Sequence, residues 1–464
     1  MLKPALALFA LLATATPVLA QPISAEEQAR IDKLVTDTLE KTKTPSASIA
    51  LVRDGKIVLA KAYGKASETI PVATPDLPYQ IASNSKQFTA MALLLLEDEG
   101  KLDLDDKVSK YLSGISGGDR IALRQLLSHT SGLQDYWPQD FSFAAMAKPT
   151  SPQGIIDIWA KKPLDYEPGT QWQYSNTGYV VAGRIVEKVA GEPLLTFLQK
   201  RIFKPLGMAS VVDIDKAIGP RFPQGYGRAA LGPVRVETPA APGWLYAAGE
   251  LSMTPTDLAK WDIARMNRAL VPADDWAEQE TTVKLTDGKD TNYGLGVYNR
   301  TSNGRRVISH GGESAGFLST NNVYPELKAA IVVMTNTWSS PAYGQIARGL
   351  ADIVLPSTTD PVAIAQQARV RTVYDQLRSG ALDRKLLTGN ANYYFTPAVT
   401  ADFQSSLAPL GTPTAIEPDG ASTLRGGFVI QGYTVKYPGR ELDLSVFMEP
   451  GPNGRIEQFL VNGS

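Results

Sequence analysis

Between Ser85 and Glu99 the chain sets apolar residues on nearly every face of the helix it predicts, with Phe88, Met91 and the run Leu93–Leu96 leaving no polar stripe. A helix that is apolar all round must be enclosed by other elements. This one is closed by Glu97-Asp98-Glu99 and is too short to cross a bilayer. The rest of the chain therefore has to be arranged around residues 85–99.

Material for that enclosure comes from both ends. Residues 25–43 carry helical apolar spacing at Ile31, Leu34, Val35 and Leu39. The runs 46–53 and 56–64 flank Asp54-Gly55, the sequence of a tight β-hairpin turn. Strand character returns only at Arg306–Ser309, Phe317–Tyr324 and Ala329–Thr335, and a helix follows at Ala342–Val354. Residues 120–270 read as loops and helices, clearest at Asn176–Val189 and Pro255–Ala269. The pattern predicts an α+β fold: one antiparallel sheet built from both ends, flanked by helices, with a helical insertion, spanning residues 21–355. A linker at 356–361, rich in Pro, Ser and Thr, leads to a second, smaller α+β domain over 362–464. Its helix (Val362–Arg378) and strands (Gly426–Lys436, Leu442–Glu449, Ile456–Val461) are compatible with a cone-shaped, nuclear-transport-factor-like fold. No motif there separates closure over a site from dimerisation.

The start of the chain addresses location. Met1-Leu2-Lys3, an apolar run over 5–15 and Val18-Leu19-Ala20 form a secretory signal peptide with cleavage expected after Ala20. The mature protein is expected in the periplasm or outside the cell, with no membrane-spanning segment. Zero cysteines exclude disulfides and thiolate chemistry. With two histidines and no H-E-x-x-H, a metal site is not expected, and no residue pattern implies a cofactor. A net charge of −1 gives no electrostatic reason to bind nucleic acid. The expected partner is a small-molecule or peptide substrate.

Three short patterns carry chemistry. Ser83-Asn84-Ser85-Lys86 is the only S-x-x-K. By itself it also fits an N-cap serine followed by a surface lysine. Here it opens the enclosed helix, so Ser83 and Lys86 share one face at its start, where burial lowers an ammonium's pKa and free N–H groups suit an oxyanion. Tyr174-Ser175-Asn176 is the only Y-x-N and precedes a helix. His310-Gly311-Gly312 closes a predicted strand, either as a turn or as an edge bare enough for a substrate backbone to approach.

In this order and spacing the three patterns resemble the class C β-lactamases, the D-alanyl-D-alanine carboxypeptidases and the related esterases, members of the β-lactamase and penicillin-binding-protein superfamily. Flanking stretches at 126–133, 247–251 and 293–296 match as well. The resemblance implies a β-lactamase/transpeptidase-like fold and a catalytic set of Ser83 as acylated nucleophile with Lys86 and Tyr174 managing protons. It further implies that Asn176, His310, Gly311 and Gly312 hold the substrate, and that the backbone N–H groups of Ser83 and Glu313 form an oxyanion hole. Tyr136, Trp137 and Trp244 are candidate walls. His310-Gly311-Gly312 departs from the Lys-Thr-Gly of most β-lactamases, which points away from efficient β-lactam hydrolysis and toward a small ester or a D-amino-acid peptide. A β-lactamase, and a catalytically silent penicillin-recognising sensor or binding protein, are the alternatives.

Two further features bear on this reading. Gly312-Glu313-Ser314-Ala315-Gly316 spells the G-x-S-x-G of α/β-hydrolases, but both histidines precede Ser314 and a strand, not a helix, is predicted next. His129, in Ser128-His129-Thr130-Ser131-Gly132, is expected to be a structural hydrogen-bonder.

Overall fold

Asp54 and Gly55 both adopt positive φ, 52° and 70°, and turn the chain between β1 (Ser46–Arg53) and β2 (Lys56–Gly64). Two such residues give the turn whose twist matches that of the strands it joins. The computed structural model describes residues 21–338, 340–355 and 361–463. The expected signal peptide (1–20) and residues 356–360 of the linker lie outside these.

Four strands from the other end complete the sheet: β3 (Tyr298–Ser302), β4 (Arg305–Ser314), β5 (Phe317–Tyr324) and β6 (Ala329–Thr335). They lie in the order β2-β1-β6-β5-β4-β3, with neighbours antiparallel. The β1–β6 pairing, from Ala47 opposite Thr335 to Val52 opposite Ala330, joins the two ends of this region. Both strands are apolar on each face, as central strands covered on both sides must be. Ala47, Ile49, Leu51, Ile331 and Val333 pack with α1 (Ala25–Thr42) and a C-terminal helix, Ala342–Val354, through Ile31, Val35, Ile346 and Leu350. Ala50, Val52, Val332 and Met334 face the larger core, which holds Phe88, Leu93 and Trp261.

That larger core contains α2 (Lys86–Asp98), in which every residue from Lys86 to Leu96 is buried. Beside it lie α3 (Asn176–Ala190) and α4 (Pro255–Met266), with α5 (Ala342–Val354) on the opposite face of the sheet. The α+β architecture with an antiparallel sheet and a helical insertion is thus as the sequence predicts. Two differences bear on the site. Strand β3 is polar and lies at the sheet edge, so its sequence lacks an apolar alternation. Strand β4 runs on to Ser314, so His310-Gly311-Gly312 lies within the strand and does not close it. Hydrogen bonding to β5 carries the strand past two glycines that read as a break.

The described residues divide into two compact units, 21–355 and 361–463. The second has its own core. Helix α6 (Pro361–Ser379) contributes Val370, Val373, Tyr374 and Leu377, which pack with Val435, Leu444, Val446 and Phe459. These come from a four-stranded antiparallel meander, β7 (Ala415–Arg425), β8 (Phe428–Tyr437), β9 (Arg440–Met448) and β10 (Ile456–Gly463). The sequence hides β7 because Pro418 and Gly420 interrupt it. An edge strand tolerates both, and its register shifts between Asp419 and Thr423.

Candidate active site

Ser83 sits in a single 3-10 turn, Ala82–Ser85, that runs directly into α2 at Lys86. In this tighter helix side chains three apart eclipse one another. The lysine Nζ accordingly stands 3.0 Å from Ser83 Oγ. The turn is held from both sides. Asn84 Nδ2 donates to Ser319 Oγ at 2.9 Å, Ser319 Oγ donates to the Ile81 carbonyl, and Ser85 Oγ accepts from the Leu251 N–H. Ala82, just before the serine, is held at φ 45°. A non-glycine residue there is strained, as backbone near reacting groups often is.

Lys86 is fully buried, and its ammonium has three acceptors in reach: Ser83 Oγ, Asn176 Oδ1 at 2.8 Å and the Ala248 carbonyl at 2.7 Å. Burial lowers its pKa to about 7, with the Asp135 charge working in the other direction. A large fraction of the amine is therefore neutral near neutral pH and able to take the Ser83 proton.

Tyr174 and Asn176 come from the entry to α3, where Ser175 caps the helix through its Oγ. Burial raises the Tyr174 phenol well above its usual value, and a hydrogen bond with Ser83 only partly offsets this. The phenol is therefore a proton donor in its resting form. Its ring lies against that of His129 at 4.1 Å between centroids.

The two histidines belong to one hydrogen-bond chain whose proton positions are fixed by its ends. The Ser175 N–H donates to His129 Nδ1 at 3.1 Å, which leaves the ring proton on Nε2. That proton is donated to the Tyr293 hydroxyl (3.2 Å), which donates to His310 Nε2 (2.9 Å). His310 Nδ1–H then donates to the Gly311 carbonyl at 2.5 Å. Both rings are neutral in this scheme. Burial together with the charge of Lys86 lowers His129 well below the usual histidine value and His310 to about 3. His129 is thus a buried hydrogen-bonder behind Tyr174. Position 310 supplies no cation.

Strand β3 ends at Tyr298 opposite Ser309, so β4 has an open edge from His310 onward. Ser314 and Phe317 close a two-residue hairpin and exchange hydrogen bonds. By alternation the N–H groups of Glu313 and Gly311 then point to the open edge. Gly312 answers to a different constraint. A Cβ there would stand 1.9 Å from the Ile81 carbonyl, so the protein's own serine-bearing turn demands this glycine. At Gly311 the nearest atom to such a Cβ is 3.6 Å away.

These groups line one cleft of about 510 Å³, shared by Ser83, Asp135, Tyr174, Asn176 and His310-Gly311-Gly312-Glu313. Trp137, Leu245, Leu318, Trp338 and Tyr343 supply its apolar walls. Of the walls expected from the sequence, only Trp137 lines it. Tyr136 and Trp244 are buried instead, where the Tyr136 hydroxyl donates to the Trp244 carbonyl. The residue most clearly missed is Asp135. Its carboxylate accepts from the Asn176 backbone and side chain, a partnership between distant segments that no local pattern announces. Tyr293, within the flanking stretch 293–296, went unassigned because only the fold shows both histidines reaching it. Among the described residues no cluster of His, Cys, Asp and Glu could hold a metal ion.

Comparison with known proteins gives a consistent family. A model described as Beta-lactamase matches residues 31–355. Penicillin-binding protein 4* of Bacillus subtilis (strain 168) is 28% identical over 336 residues, which cover 69% of this chain and 74% of that protein. Among solved structures, the D-stereospecific amidohydrolase from Streptomyces sp. is 28% identical with a TM-score of 0.59, covering 69% of this chain and 97% of its own. The octameric penicillin-binding protein homologue from Pyrococcus abyssi aligns over 94% of this chain and 99% of its own with a TM-score of 0.62. At 21% identity it shares the fold alone.

Proposed function

Because the chain belongs to the β-lactamase family, we propose that it is a serine hydrolase working through an acyl-enzyme on Ser83, with a small ester or a D-amino-acid peptide or amide as substrate. The observation that carries this is the Lys86 amine, 3.0 Å from Ser83 Oγ and tuned by burial to about 7. A serine hydroxyl is unreactive until a neighbouring base accepts its proton. Here the neutral amine is that base.

The chemistry proceeds as follows. Ser83 Oγ attacks the acyl carbon while its proton passes to Lys86 Nζ. The developing oxyanion is met by the Ser83 and Glu313 N–H groups, donors fixed before the reaction begins. Tyr174 gives its hydroxyl proton to the leaving nitrogen or oxygen, and the Lys86 ammonium restores it. A water then attacks the acyl carbon with the same pair working in reverse. Asn176 and the edge of β4 position the substrate.

The neutrality of His310 supports an ester or amide over a β-lactam, since a cation at that position would attract a substrate carboxylate. The presence of Ser83, Lys86 and Tyr174 in one cleft favours an enzyme over a silent sensor. The pattern of residues 1–20 supports export, and no helix among the described residues is long and apolar enough to cross a membrane. Turnover of p-nitrophenyl acetate, a D-alanyl anilide and benzylpenicillin tests the assignment. Hydrolysis of the first two with penicillin consumed far more slowly is the expected result. Rapid penicillin hydrolysis would favour a β-lactamase, and inertness toward all three a sensor.

A further inference from the structure

Asp135 belongs to none of the three patterns, yet Asn176 is built around it. The Asp135 carboxylate accepts the Asn176 backbone N–H at 3.1 Å and its side-chain Nδ2 at 3.2 and 3.3 Å, and also the Trp137 N–H at 3.1 Å. A carboxamide whose nitrogen is committed to a carboxylate can present only its oxygen elsewhere. That oxygen is the one that accepts from Lys86. Were the amide turned over, its NH2 group would face the lysine, and one of the three acceptors that fix Nζ beside Ser83 would be lost.

We propose that Asp135 is a positioning residue of the hydrolase: it locks the Asn176 amide so that its oxygen holds Lys86 against Ser83, with its carboxylate as the anion behind that amide. The inference rests on the reading of Ser83 as nucleophile. Around Lys86 the titratable groups are few. Tyr174 and Tyr179 present ring faces 4.8 and 5.3 Å from Nζ, and both phenols are raised by burial. His129 and His310 are neutral. Glu250, on the segment that supplies the Ala248 carbonyl, is raised by burial and by the neighbouring charges of Asp213, Glu187 and Asp215. Asp135 is left as the charge that favours the ammonium. Removing it should extend the neutral amine to lower pH.

The test is kcat and KM as a function of pH, with p-nitrophenyl acetate, for the mature chain and its Asp135→Asn, Asp135→Ala and Ser83→Ala variants. Asn at 135 can still offer an oxygen to Asn176 but carries no charge. It should shift the acidic limb of kcat/KM downward by about half a unit to one unit. Ala removes the lock as well, and should lower kcat on the order of tenfold to a hundredfold with KM changed far less. An acidic limb unmoved in both variants would overturn the inference, as would a raised KM at unchanged kcat, which would make Asp135 a substrate contact. Should the alanine variant fail to fold, the limb of Asp135→Asn decides alone. A Ser83→Ala variant that still turns over would instead remove the nucleophile assignment beneath it.

Discussion

Two serines are set against strand β4, Ser83 in the 3-10 turn beside it and Ser314 as its last residue, and their surroundings differ. Ser83 lines the cleft, with the Lys86 amine at 3.0 Å and the Tyr174 hydroxyl also bonded to it. Ser314, at the centre of G-x-S-x-G, is fully buried and donates to Gln80 Oε1 at 2.8 Å. Its hydroxyl is committed to that amide oxygen, and the hairpin to β5 follows where an α/β-hydrolase would start a helix. A nucleophile is thus defined by an adjacent proton acceptor and by room for a substrate. The five-residue pattern around Ser314 supplies neither.

The comparison breaks most sharply by substitution. Ser83→Ala should lower kcat/KM for an activated ester by roughly a thousandfold or more, as loss of an acyl-enzyme nucleophile does. The pH dependence sharpens it further. In the proposed mechanism the reacting form of Lys86 is the neutral amine, so activity should fall tenfold per unit as pH drops below about 7. No basic limb from Tyr174 is expected in the ordinary phenol range, since burial raises its pKa well above the usual value and the proposed mechanism uses the neutral phenol. A limb from His310 is absent from the neutral range, because its pKa lies near 3.

Smaller effects separate the two faces of β4. Gly312→Ala should destabilise the fold by about 2–4 kcal/mol, because its Cβ would collide with the Ile81 carbonyl. Gly311→Ala should leave the melting temperature nearly unchanged and act on KM. Tyr293→Phe strands the His129 and His310 nitrogens that share its hydroxyl, at about 1–3 kcal/mol in chemical unfolding. Ser314→Ala loses one buried hydrogen bond, about 1 kcal/mol, with kcat/KM kept within a few-fold. If Ser314→Ala abolished turnover while Ser83→Ala spared it, the roles of the two turns would be exchanged.

Much of this was legible in the sequence. The all-round apolar pattern of α2 placed that helix in the core, and the strand-like runs at both ends identified the strands that zip the chain together. What escaped was decided by distant partners. β3 is polar because it is an edge. β4 persists through Gly311 and Gly312 because β5 supplies its hydrogen bonds. Tyr136 and Trp244 read as candidate walls in sequence and are buried instead, with the Tyr136 hydroxyl donating to the Trp244 carbonyl and the Trp244 indole N–H to the Lys148 carbonyl. Asp135 and Tyr293 act on groups that lie far away along the chain. The S-x-x-K spacing could be read because it is local, three residues across one helical turn.

The most direct test is to map the site of covalent acylation. The mature chain and its Ser83→Ala and Ser314→Ala variants would be exposed to benzylpenicillin or an activated ester, and intact mass and peptide mass then measured. One acyl adduct on the peptide carrying Ser83, lost in Ser83→Ala and kept in Ser314→Ala, is the predicted result. An adduct that survives Ser83→Ala and maps to another residue would contradict it.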